Sequence, residues 1–175
     1  MFGRWRRVKA TADEMADTFA GTISLISNDL VSDLLGSRKI SVGLKGRENP
    51  SFETECLVFI WFLVDYAIRR HFGPHADAIR NNLWKPLSGP LIEHGIPLDQ
   101  FKELFRCAQT RFSEYHQALG EIPEAEDLLP FASVVWRRIV AQDTRDLRGA
   151  LRLISYMAGT VEAVERTARK YRVVN

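Results

Sequence analysis

The 175-residue chain has little cysteine, no long apolar run and almost no net charge, and each shortage removes a class of protein. Its two cysteines, Cys56 and Cys107, stand inside apolar helical patterns rather than in a spaced framework. That excludes a disulfide miniprotein and leaves two small buried thiols, which can pair only if the helices carrying them touch. The longest apolar run, Cys56 to Val64, is nine residues, whereas a membrane span needs about 20. Arg4-Trp5-Arg6-Arg7 is not followed by the apolar stretch of an export signal, because Asp13, Glu14 and Asp17 arrive too soon. A cytoplasmic location is expected by exclusion, with peripheral attachment at a membrane surface as the variant.

Charge of one sign is also missing. Against 24 Lys and Arg stand 22 Asp and Glu, a balance of +2, far too small for a chain whose whole surface grips nucleic acid. The distribution is uneven, however. Residues 1–10 carry Arg4, Arg6, Arg7 and Lys9 with no acid, and residues 151–175 hold Arg152, Arg166, Arg169, Lys170 and Arg172 against Glu162 and Glu165. Both ends are basic.

Alternating apolar and polar runs bounded by hairpin turns are absent, so no strand is expected. What is present is helical periodicity. Thr11-Ala12-Asp13-Glu14 has the capping-box form, and behind it Ala12, Met15, Phe19, Ile23, Ile26, Leu30 and Leu34 recur every three or four residues. A first helix over about 12–35 follows. Residues 36–49 then form a basic loop with Gly36, Gly43 and Gly46 beside Arg38, Lys39, Lys45 and Arg47.

Asn49-Pro50 opens a second helix running to about Phe72, where Gly73-Pro74 stops it. Its middle, Leu57 to Val64, is apolar on every face and must be covered on most sides. A shorter helix is expected from Pro74 to Trp84, after which Pro86, Gly89 and Pro90 should fragment the chain into a turn and a bend near Gly95.

The fourth helix, from Pro97 to Gly120, places Leu98, Phe101, Phe105, Ala108, Phe112, Tyr115 and Leu119 in a three-heptad seam. An acidic connection, Glu121 to Asp127, leads to a fifth helix with Pro130 in its first turn and its end near Gln142. The last helix, capped by Asp143, repeats the seam through Leu147, Ala150, Ile154, Met157, Val161, Val164, Ala168 and Tyr171. The reading is all-α: one domain over 1–175, a compact bundle of five to six helices around the apolar second helix, with a basic arm at 1–10. No internal repeat suggests a solenoid.

Chemistry is sparse. G-x-S-x-G, S-x-x-K, Walker A and G-x-G-x-x-G are all missing. No histidine has a Glu three residues before it; His71 and His75 have i, i+4 spacing, but Gly73-Pro74 interrupts their helical face, and His94 and His116 are isolated. No catalytic residue, cofactor or metal is therefore expected.

Asp65 closes the apolar run as the one buried polar candidate, either a general base or, in the preferred reading, the partner of Arg69 one turn on, at the water-facing end of the helix. Glu53 and Glu55 suit the macrodipole at the start of the same helix. The aromatics Phe52, Phe59, Trp61, Phe62, Phe101, Phe105, Phe112 and Tyr115 read first as core and second as the wall of an apolar pocket between the second and fourth helices.

Three functions follow as expectations. The leading one is a non-enzymatic interaction or regulatory protein that binds a protein partner, or a second copy of itself, through an apolar seam or a basic surface. Next comes an enzyme or small-molecule sensor using Asp65, Glu55 or a histidine beside an apolar ligand. Third is a binder of anionic lipid or nucleic acid through Arg4, Trp5, Arg6, Arg7 and Lys9 of the arm and Arg38, Lys39, Lys45 and Arg47 of the loop.

Overall fold

A computed structural model describes residues 7–36, 50–93, 98–120, 128–140 and 147–174. Within them the chain forms six α-helices: α1 (Ala12–Gly36), α2 (Pro50–His71), α3 (Ala76–Glu93), α4 (Leu98–Gly120), α5 (Leu129–Val140) and α6 (Leu147–Lys170). Two three-residue strands, β1 (Val8–Ala10) and β2 (Tyr171–Val173), bracket the helices. The all-α bundle expected from periodicity is the observed architecture.

Local chemistry sets the start of α1. The Glu14 N–H donates to the Thr11 hydroxyl at 3.2 Å and the Thr11 N–H donates to the Glu14 carboxylate at 2.7 Å. Each side chain thus satisfies an amide the helix cannot. α2 is the axis of the fold. Val58 through Val64 are all buried, and the helix packs against each of the other five. A segment apolar on every face is stable only when surrounded in this way. It ends at Gly73, whose φ of +49° is a left-handed conformation that side-chain-bearing residues rarely adopt.

Three expectations are corrected. The helix after Gly73 does not break at Trp84. After one 3₁₀ turn, Gly73–His75, α3 runs unbroken through Pro86, Gly89 and Pro90. Proline removes one backbone donor and crowds the carbonyl four residues back. Burial of Ile79, Leu83 and Ser88, with Leu87 packed on the core and α1 lying alongside, outweighs that cost. The Ser88 hydroxyl also donates to the Lys85 carbonyl at 2.9 Å, so the buried polar group is satisfied within the helix.

Strands, expected nowhere, occur at both ends of the described chain. β1 and β2 pair in parallel, Val8 with Tyr171, Lys9 with Arg172 and Ala10 with Val173, and the Val174 N–H donates to the Ala10 carbonyl at 2.9 Å. The pairing also corrects the last seam, which stops at Lys170; Tyr171 belongs to β2 rather than to the helix. Three residues are too few to display a period of two.

Of the basic arm, Val8 to Ala10 are tied into this ladder, with Val8 and Lys9 exposed and Ala10 buried. Arg4, Trp5 and Arg6 lie outside the described residues, as do Arg38, Lys39, Lys45, Arg47, His94, Gly95, the connection 121–127 and the segment 141–146.

α6 meets α5 at an unusually close approach. A Cβ built on Gly149 falls 2.2 to 2.5 Å from atoms of the buried Trp136 indole. Gly149→Ala in a helix ordinarily gains stability by propensity. Here it should instead destabilise by about 1–3 kcal/mol through overpacking. Urea unfolding of the variant checks this, and a midpoint at or above that of the parent chain contradicts the packing.

Candidate functional site

Three constellations bear on function, and the first two contain acids singled out by the sequence. Asp65 is buried, only 4% exposed, and accepts from Arg69 Nε at 3.0 Å and from Arg80 Nε across from α3. The expected i, i+4 pair with Arg69 is present. The water-facing position is corrected, because α3 covers the carboxylate and brings a second guanidinium to it. Both carboxylate oxygens are thus engaged by guanidiniums, Oδ2 by Arg69 and Oδ1 by Arg80, so the group is spent on an ion-pair network inside the fold. Nearby, burial first and the Arg69 charge second hold the His116 imidazole below its ordinary pKa, with Asp65 opposing them.

Glu55 departs further from expectation. It does not serve the helix start but lies almost buried against α4, where Arg111 donates from Nε at 3.0 Å to both its oxygens and from Nη2 at 2.7 Å. Arg111 also reaches Glu114 at 3.3 Å, and Glu114 accepts from Arg138 of α5 at 3.1 Å. The four groups form a chain of alternating charge linking α2, α4 and α5.

The Tyr115 side chain, fully buried beside this chain, has a hydroxyl without a hydrogen-bond partner, and burial drives its pKa far above the phenolic range. Cys56 is pushed up to about 12 by burial and then by Glu55, and Cys107 is also raised, chiefly by burial. Both thiols are free and protonated at neutral pH, so neither is a ready nucleophile.

Between α2 and α4 the aromatics are spent on one another. Trp61 meets Phe105 at 6.0 Å and Phe112 at 5.6 Å, while Phe62 meets Phe112, Tyr115 and His116 at 5.5, 5.2 and 5.0 Å. These are the edge-on and tilted geometries of a packed core. The α6 seam is likewise used inside the chain, with Ala150, Met157 and Val164 buried; Leu153, which the spacing left out, is buried beside them.

The third constellation lies where the strand pair meets the end of α2. An open cleft of about 500 Å³ is lined by Arg7, His71, Phe72, Pro74, His75, Ala168, Tyr171, Arg172, Val173 and Val174. The topology explains the gathering: β1–β2 pairing brings Arg7 and Lys9 to the strand that carries Arg172, and His71 and His75, either side of Gly73, line the same cleft. His71 Nε2 has no hydrogen-bond partner.

Two features of this region stand out electrostatically. Arginines elsewhere are mostly neutralised: Arg69, Arg80, Arg106, Arg111, Arg138, Arg152, Arg166 and Arg169 all hold carboxylates. Arg7, Lys9, Arg70, Lys170 and Arg172, by contrast, pair with no acid among the described residues, and all sit at this end. Lys170 instead lies over the Tyr171 ring at 5.2 Å. Second, the register sets Lys9 beside Arg172, both exposed, on strands that run about 4.8 Å apart. Like charges so placed repel.

Sequence reasoning identified Arg7 and Lys9 as cations and His71 and His75 as a pair, but did not join them to Arg172. Among the described residues no group of three or more His, Cys, Asp or Glu has metal-binding geometry. No described helix is long and apolar enough to cross a membrane. No protein-family model, curated protein or solved structure matches this chain.

Proposed function

We propose that this chain is a non-enzymatic interaction domain that binds an acidic segment of a protein partner at the basic end formed by β1, β2 and the close of α2. The observation that carries the reading is the concentration there of cations without acidic partners among the described residues, Arg7, Lys9, Arg70, Lys170 and Arg172, where most other described arginines hold carboxylates. Placing Lys9 beside Arg172 works against folding, and an arriving anion relieves it.

A protein partner fits better than nucleic acid, because a net charge of +2 supplies little long-range attraction to a polyanion. It fits better than a bilayer too, since Val8 is the one large exposed apolar residue on the strand pair. The apolar seams are a weaker basis for partner binding, because their described residues are buried or half-buried within the chain.

Fluorescence anisotropy with a labelled Glu- and Asp-rich peptide tests the proposal. Saturable binding is expected, weakening steeply as salt rises from low to physiological strength. The double variant Lys9→Gln, Arg172→Gln should lose about tenfold or more in affinity. Binding that ignores both substitutions overturns the reading. So does a preference for single-stranded DNA or anionic vesicles over the peptide.

A further inference from the structure

We infer that the cleft within this basic end is a built site for a phosphate monoester carried on an apolar stem. The inference rests on reading that end as an anion-binding surface, and it goes further by naming the group that enters. The lining divides into two kinds of surface. Phe72, Pro74, Ala168 and Val173 supply apolar wall, while Arg7, Arg172 and His75 supply cations or hydrogen-bond donors. Pockets for small ligands combine these elements: apolar area for affinity and a few converging polar groups for orientation.

The number of positive groups points to a doubly charged head. Two guanidiniums from different segments, neither paired with an acid among the described residues, suit a group with several oxygens, and guanidinium geometry matches phosphate in two-pronged fashion. A monocarboxylate would leave one arginine unneutralised. His71 Nε2, although its residue lines the cleft, is buried without a hydrogen-bond partner, so the ligand is met by the two arginines and His75. A volume of about 500 Å³ holds an aryl phosphate and is far larger than a bare phosphate needs.

Arg7 immediately precedes β1 and Arg172 lies in β2, so a phosphate gripped by both ties the two strands together. Occupancy should therefore stiffen the strand pair as well as fill the cleft.

Isothermal titration of the full chain with phenyl phosphate tests the site, with inorganic phosphate, benzoate and phenol as comparison ligands. Phenyl phosphate should bind at least about tenfold more tightly than inorganic phosphate or benzoate, and phenol should not bind detectably. Arg172→Gln and Arg7→Gln should each weaken phenyl phosphate about tenfold. Arg106→Gln, on the exposed face of α4, should change nothing. Amide exchange at Val174, which donates across the strand pair, should slow on binding. A phosphotyrosine peptide and free phenyl phosphate, compared directly, separate a side-chain source from a small molecule.

Equal affinity for phenyl phosphate and inorganic phosphate overturns the inference, as does indifference to Arg172→Gln in a variant whose circular dichroism matches the parent. If the acidic peptide binds and phenyl phosphate does not, the cleft falls and the basic interaction surface stands. The reverse result removes the acidic-segment reading and leaves the cleft.

Discussion

Phe62→Ala is expected to lower the unfolding free energy by about 4 kcal/mol, the upper part of the range for removing a buried aromatic ring. The ring is fully buried on the axial helix and touches five others: Tyr66, Phe112, Tyr115, His116 and Phe131, drawn from α2, α4 and α5. Truncation removes the transfer free energy of the ring and leaves neighbours on three helices facing a void that rigid elements cannot close. It also forfeits edge-on contacts worth about 0.5–1.5 kcal/mol each. Against a total of about 5–15 kcal/mol for an ordinary domain, this is a large fraction. Guanidinium unfolding followed by circular dichroism measures it. Phe62→Leu, which keeps most of the volume, should lose clearly less, and equal losses in the two variants would contradict the hub.

The second large effect lies in the Glu55–Arg111 pair. Arg111→Met removes the bidentate partner of a carboxylate whose side chain is only 12% exposed. A buried charge left without compensation costs about 3–5 kcal/mol. Because the site is not fully sealed and Glu114 relieves nothing for Glu55, a loss near 3 kcal/mol is expected. Glu55→Leu should cost a similar amount by stranding Arg111, though Glu114 remains to hold it.

The double variant Glu55→Leu, Arg111→Met should recover most of the loss, since two apolar side chains of similar size need no solvation. A double-mutant cycle in urea resolves the coupling. Additive losses would mean that the two groups do not interact as the structure shows.

How much was readable in advance depended on distance along the chain. The Thr11–Glu14 capping box and the Asp65–Arg69 pair span three and four residues, and both were legible because local geometry brings those side chains together. The second partner of Asp65 is Arg80, 15 residues on, and Glu55 finds Arg111 56 residues on. No local pattern reports such meetings, which is why Glu55 read as a macrodipole residue and Asp65 as water-facing.

Helix α2 was legible because an unbroken apolar run leaves no polar face to expose. The continuation of α3 was not, because Pro86 and Pro90 carry a strong local preference that tertiary packing overrides. The cleft illustrates the same division. Its basic ends and paired histidines were visible separately as composition and spacing, but the parallel pairing that assembles them joins Val8 to Tyr171 from opposite ends of the sequence.

That pairing also has a mechanical consequence. Tension applied to the chain before Val8 and after Val173 pulls two parallel, neighbouring strands in opposite directions along their own length. The hydrogen bonds between them are then loaded side by side in shear, not opened one at a time like a zipper. The six helices behind the strands feel no force until this small clamp gives way, so a phosphate bridging Arg7 and Arg172 would raise the force at which the whole bundle begins to yield.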